Sequence, residues 1–232
     1  MSTLDDHAAG SLAVALGTIA RTLQAEPDVA TTLVAIVKAA VDHVTGVECA
    51  GISLVEPGRR IRTVAPTDEV VVAIDEVQYR TGQGPCVEAI AEHQVFRTGD
   101  LSAEARWPDF APAAAATGMR SMLAYRLFVS ATTLGSLNLY SRGVDAFSEL
   151  TEQDGIVFAS HAAIALAGAQ TEAQLLVAIE HRDLIGMAKG ILMNRHGVDA
   201  VQAFRMLVES SQTGNIKLHQ VAGWLVEHHR EL

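Results

Sequence analysis

The chain has 232 residues, 49% of them apolar, and a formal net charge of −10. That apolar content suits a packed core and excludes a disordered chain, and the acidic balance excludes a protein that coats nucleic acid or membranes non-specifically. The length suits one large domain or one domain with a small appendage. The charge is uneven: residues 1–171 hold 11 Lys/Arg against 20 Asp/Glu, giving −9, whereas residues 172–232 hold 6 against 7, giving −1. A near-neutral C-terminal part is permissive for an anionic partner without being evidence for one. Cys49 and Cys86, with no CxxC pairing, make neither a disulfide framework nor a zinc site. The acidic start MSTLDDHAAG lacks the basic opening of a secretory signal. The longest uncharged run, residues 155–171, has 17 residues. It falls short of the roughly 20 apolar residues of a spanning helix. These features lead us to expect a soluble, cytoplasmic protein.

In chain order, SLAVALGTIARTLQ and PDVATTLVAIVKAAVDHV read as amphipathic helices, with Pro27 in the first turn of the second. Strand-like segments follow at ECAGISLVE from Glu48 and RIRTVAPT from Arg60, separated by the turn EPGR. Short helices are expected at residues 69–78 and from Pro85. Two long strand patterns, 121–129 and 133–141, are joined by a short polar link and predict a hairpin. This order fits an α+β fold, an antiparallel sheet flanked by helices. After Phe147 the pattern is helical: TEQD at 151–154 has capping-box spacing, and no strong breaker follows until Gly197. A helical pattern of about 40 residues suggests a helix linking two domains or a dimer stalk. No clean heptad fits it, since one register puts His161, Gly168, Arg182 and Lys189 in the seam. Asp199 and Gln202 have capping-box spacing ahead of a helix with Val201, Phe204, Leu207 and Val208 on one face. TGN then turns the chain into a last helix with Leu218, Val221, Ala222 and Leu225 inward.

HRDLIGMAKGILMNRHG, residues 181–197, places two glycines inside a helix, where each costs roughly 1 kcal/mol against alanine. At about 100° per residue, Leu184, Ile185, Ala188, Ile191 and Leu192 form a buried stripe, while Gly186, Lys189 and Met193 cluster within about 40° of Arg182. Gly186 and Gly190 on the flank of this ridge would let another backbone approach closely. The ridge is either a solvated face beside a neighbouring helix or a contact surface for phosphates.

The segment RDLIGMAKGILMNRHGVDAVQAFRMLVESSQTGNIKLHQVAGWLV resembles the ANTAR domain, a three-helix RNA-binding module of bacterial transcription antiterminators. Arg182, the AKGILM run, Phe204 and the N-x-K-L-x-x-V-A pattern from Asn215 carry the resemblance, which covers residues 172–228. It implies a homodimer that binds paired RNA hairpins in transcripts. It also implies RNA contacts at Arg182, Lys189 and Lys217, with Arg195 and Arg205 weaker, and packing roles for Ala188, Ile191, Phe204, Leu218 and Ala222. A helix-turn-helix reading DNA through Lys217, His219 and Gln220 is the alternative.

YRTGQGPCVEAI, RWPDF and LGSLNLYS in an α+β frame resemble the GAF sensor domains found ahead of ANTAR in actinobacterial proteins, over residues 10–165, with a helical linker at 166–180. The resemblance implies a possible small-molecule ligand, leaves any cofactor unknown, and makes Tyr79, Cys86, Trp107, Asn138 and Tyr140 ligand-pocket candidates. Gly82, Gly84 and Pro85 make either a tight loop or an anion cradle with the amides near Val87. Cys86 at a helix start is either a redox sensor of lowered pKa or an inert buried thiol. Trp107 is either plain core or a pocket wall. Some GAF-fold proteins reduce free methionine sulfoxide, so a cysteine-dependent reductase using Cys86 and Cys49 stays as a further alternative. No nucleophile–base motif, Walker loop or metal spacing argues for an enzyme, none of the nine histidines forms a metal constellation, and no phospho-acceptor aspartate motif stands out.

Overall fold

The computed structural model describes residues 17, 28–92 and 95–229. Of the first expected helix only Gly17, in helical conformation, is described, and Pro27 lies outside the described residues. Helix α1 (Val29–His43) starts at Asp28, whose side chain accepts from the Thr31 N–H at 3.1 Å. Strands β1 (Cys49–Val55) and β2 (Ile61–Val64) follow, then helices α2 (Glu69–Thr81) and α3 (Pro85–Glu92). Strand β3 (Val95–Thr98), a 3-10 turn (Leu101–Ala103) and helix α4 (Ala111–Ala115) precede the hairpin β4 (Ser121–Val129) and β5 (Thr132–Ser141). The five strands form one antiparallel sheet in the order β2-β1-β5-β4-β3, as the α+β expectation requires.

Period-2 alternation divides the sheet into two unlike faces. Ala50, Ile52 and Leu54 of β1 join Leu123, Tyr125, Leu127, Leu137 and Leu139 in one apolar cluster. Leu33, Ile36 and Ala40 of α1 cover it together with Phe158, Ala162 and Leu166 of the next helix, α5 (Glu149–His196). The opposite face carries Cys49, Met122 and Tyr140 against Val71, Ile74, Cys86, Phe110 and Ala111. On this second face the alternation also places Ser53, Ser136 and Asn138, all fully buried.

Helix α5 begins before the expected TEQD box. Ser148 Oγ accepts from the Thr151 N–H at 3.1 Å, so Ser148 does the capping and Thr151 lies within the helix. Gly155 lets this helix sit against the sheet: a Cβ there would be 2.0 Å from the Tyr125 hydroxyl oxygen. That hydroxyl donates to the Thr151 and Glu152 carbonyls at 3.3 and 3.2 Å. By length and composition alone α5 is apolar enough to cross a membrane, its most apolar 18-residue window reaching a mean hydropathy of 1.4. The uncharged run of 17 residues understated this, because a few charges do not interrupt a long apolar helix. Only 28% of that window is buried, and Ile164, Leu175, Leu176, Val177 and Ile179 are exposed, so burial within the chain accounts for a minor part of the apolar content.

The chain divides into two compact units between Gln170 and Thr171. In the second, α5 is joined by α6 (Ala200–Gly214) and α7 (Leu218–His228). Asp199 caps α6 as expected, accepting from the Val201 and Gln202 N–H groups at 2.9 and 2.8 Å, and Asn215 ends it in the left-handed region at φ 51°. The core holds Ala188 and Leu192 of α5, Ala203 and Leu207 of α6, and Ala222 and Leu225 of α7. The expected face of α6 needs correction: Val201 is 61% and Phe204 40% exposed, and the buried pair is Ala203 and Leu207 with Met206 beside it. Phe204 is therefore not a packing residue within this unit.

Candidate nucleic-acid interface and sensor site

In the C-terminal unit, Leu184, Ile185, Ala188, Ile191 and Leu192 all face the core, so the rest of the helix surface is turned outward. Arg182 is exposed and Lys189 half-buried, about 10 Å apart along the axis. Neither makes an ion pair or side-chain hydrogen bond among the described residues; all five ion pairs there lie in the first unit. A Cβ on Gly186 or Gly190 would meet nothing within 4 Å. Among the described residues no neighbouring helix uses the glycines, so the close approach they permit is open to a second molecule.

Arg195 is exposed but sits about 220° around the helix from Arg182, off the ridge. Lys217 is exposed at the residue preceding α7. The structure brings it toward the Arg182 end of α5, because the His181 ring stacks on that of His219 with centroids 3.7 Å apart and planes 8° from parallel. Desolvation, then His181 and Lys217, hold the His219 imidazole below the ordinary histidine value. Arg182, Lys189 and Lys217 thus supply separate cations with no partner among the described residues to compete with a phosphate.

In the N-terminal unit four of the five pocket candidates converge on one buried polar network. Asp75 of α2 is its centre and is fully buried. Its carboxylate accepts from the Tyr140 hydroxyl, from Thr63 Oγ1 at 2.8 Å, from Gln78 Nε2 at 3.0 Å and from Asn138 Nδ2 at 3.3 Å. Asn138 Nδ2 also donates to Ser53 Oγ at 2.9 Å, and Ser136 Oγ donates to Asn138 Oδ1 at 3.0 Å. The Tyr79 hydroxyl lies 2.6 Å from Ser53 Oγ and 2.8 Å from Thr63 Oγ1. Cys86 Sγ is 3.1 Å from both Ser53 Oγ and Ser136 Oγ. No cation is among the described partners of Asp75, and burial pushes its carboxyl up to about 6 despite the four donors.

Burial also pushes the Cys86 thiol up to about 12, with Asp75 adding to the shift. The thiol is therefore protonated at neutral pH, which corrects the reading of a lowered pKa at the helix start. Cys49 and Cys86 are both buried and unpaired. Two amides of the glycine loop are closed to an anion: Pro85 has no N–H and the Cys86 N–H is taken by Gln78 Oε1 at 2.9 Å. Gly84 makes room for that glutamine, since a Cβ there would be 2.4 Å from its Oε1. The loop is fastened outside by Gln83, which donates to Asp109 Oδ2 at 2.8 Å and accepts from the Asp109 N–H at 2.9 Å.

Trp107 stands apart from this network. Its ring packs edge-on to Phe96 and Phe110, with centroids 6.4 and 6.2 Å away, and its indole N–H donates to Glu88 Oε1 at 2.6 Å. It is core. Sequence reasoning missed Asp75, Ser53, Thr63, Gln78 and Ser136; the one available signal was a carboxylate on the apolar stripe of α2 between Val71 and Gln78.

The GAF domain family model matches residues 26–167 and the ANTAR domain model residues 173–226. No curated protein sequence matches the chain. Among solved structures, the GAF domain of a phosphoenolpyruvate-protein phosphotransferase from Coxiella burnetii superposes with a TM-score of 0.55 at 15% identity, covering 72% of this chain and 98% of that one. Free methionine-R-sulfoxide reductase from Neisseria meningitidis, in complex with its substrate, superposes with a TM-score of 0.53 at 16% identity, covering 68% and 89%. The reduced form of the Staphylococcus aureus enzyme gives 0.55 at 14% identity, covering 67% and 94%. These likenesses are of fold alone. With more than half its length matched by the first model and its last three helices by the second, the chain belongs to the GAF family and is a GAF and ANTAR domain-containing protein, a signal-sensing regulator with an RNA-binding C-terminal domain.

Proposed function

We propose that this protein is a transcription antitermination regulator that binds paired RNA hairpins as a homodimer, under the control of a small ligand in its GAF domain. The observation that carries the reading is the ridge of α5, where two cations without partners among the described residues flank helix backbone left bare by Gly186 and Gly190. A guanidinium forks onto a phosphate, an ammonium acts as a point charge, and bare backbone lets the sugar–phosphate chain lie close. Replacing both glycines with alanine separates the two demands on this helix. We expect helix stability to rise by roughly 1 kcal/mol per site, while affinity for a hairpin falls at least several-fold in filter binding. Unchanged or increased affinity would remove the close-approach argument.

Support for dimerisation comes from the sensor half of α5. Leu150, Val157 and Ile164 recur every seven residues and are 49, 41 and 63% exposed. Such a stripe suits helix pairing between two copies. Ile164→Glu is expected to halve the mass seen by sedimentation equilibrium without lowering the melting temperature; a wild-type monomer would refute this part. We further propose that the GAF domain senses rather than catalyses, since the Cys86 thiol is buried and protonated. Asp75, the one buried charged residue among those described, already accepts from four side chains, so a ligand donor or cation that reached it would replace one of them. Because α5 contributes buried residues to both cores, a change at the sensor has a covalent route to the ridge.

A further inference from the structure

Two tryptophans have opposite surroundings. Trp107 is fully buried, whereas Trp224, in the middle of α7, is 53% exposed. An exposed indole has a structural reason to persist where something covers it. One face is already covered: the His228 ring, one turn on, stacks at 4.9 Å between centroids and 19° between planes. His228 is itself held in place, its Nδ1 lying 2.9 Å from the Trp224 carbonyl oxygen. Lys217 is seven residues before Trp224, so it lies within about 20° of it around the helix and about 10 Å along the axis.

We propose that Trp224, backed by His228, is a stacking platform for an unpaired nucleobase of the bound RNA, with Lys217 taking a phosphate of the same strand; this rests on the RNA-binding reading. The chemistry of the patch selects the occupant. A protein partner that buries a tryptophan surrounds it with apolar groups, whereas the residues around Trp224 on its flank of α7 are Lys217, Gln220, Glu227 and His228, with only Val221 apolar. A flat ring whose orientation is fixed from behind, beside a cation and without an apolar wall, suits a base that brings its own phosphate. RNA differs from a uniform duplex in offering such bases in loops and bulges, and aromatic stacking is how proteins hold them.

The test uses the full chain and two synthetic hairpins with the same stem, one closed by a purine-containing loop and one by an abasic loop. Trp224→Ala is expected to weaken binding of the first hairpin between about 5- and 150-fold, the range that base–aromatic stacking supports. Trp224→Phe should retain most of the affinity. The abasic hairpin should bind wild type and Trp224→Ala alike, and indole emission of the wild type should be quenched only by the first hairpin. Equal affinity of Trp224→Ala and wild type for the purine-loop hairpin would overturn the proposal while leaving RNA binding intact. Equal losses on both hairpins with a lowered mass in sedimentation would overturn it in favour of a protein contact. Wild type binding neither hairpin would overturn the RNA reading, and this inference with it.

Discussion

Replacing Arg182 and Lys189 together with alanine lowers affinity for a paired RNA hairpin by about 10- to 100-fold near 0.1 M salt, and flattens the plot of log K against log salt by about two units. Each side chain that neutralises a phosphate releases about one counterion, so the change in slope reports how many phosphates go unneutralised, independently of the affinity itself. The single change Lys189→Ala should remove about one unit. The double variant should melt as wild type does, since neither cation makes an ion pair or side-chain hydrogen bond among the described residues and both lie off the core stripe. A fall in affinity with an unchanged slope would show that these residues act on the fold or the dimer rather than on phosphates. Gel shifts across a salt series, with melting curves on the same preparations, distinguish the two.

Asp75→Asn changes how the stability of the sensor domain responds to pH. In the folded protein the Asp75 carboxyl is raised from 3.8 to about 6 by burial. Between those values the folded state holds a proton that the unfolded state has released. Stability from this group is therefore fully present below about pH 4 and is lost as pH rises through about 6, roughly 3 kcal/mol in all. The asparagine variant lacks this slope. At neutral pH it escapes the buried charge but accepts less well from Tyr140, Thr63, Gln78 and Asn138, each lost bond costing on the order of 1 kcal/mol. The difference in melting temperature, variant minus wild type, should thus grow by about 6 to 12 °C from pH 4 to pH 7. Calorimetry across that range measures it. Parallel pH profiles would show that Asp75 is not the titrating group.

The parts of the fold legible in the sequence were those with strong local signals. The β4–β5 hairpin follows from two long runs of strand formers, and Asp199 and Asn215 mark the ends of α6 by cap and turn chemistry. Strand β3 was not legible because its four residues are an edge strand defined only by pairing with β4, a non-local fact. Phe204 was misplaced because the apolar face was centred on Val201, Phe204, Leu207 and Val208, whereas Ala203, one position away, turns to the core with Leu207 and leaves Phe204 outward. The network followed the same division. Tyr79, Cys86, Asn138 and Tyr140 could be singled out as polar or reactive groups near the sheet. Ser53 and Ser136 are ordinary strand residues until the β1–β5 register sets them opposite each other beneath Cys86. The ridge of α5 was the most legible feature of all, since helical periodicity alone separates Arg182 and Lys189 from the buried stripe.

The measurement that tests the central claim most directly is binding of the purified full-length protein to labelled paired RNA hairpins and to matched duplex DNA, each at two salt concentrations. The account predicts RNA-selective binding that weakens as salt is raised. Binding to duplex DNA as tight as to the hairpins, or binding to neither, would contradict it.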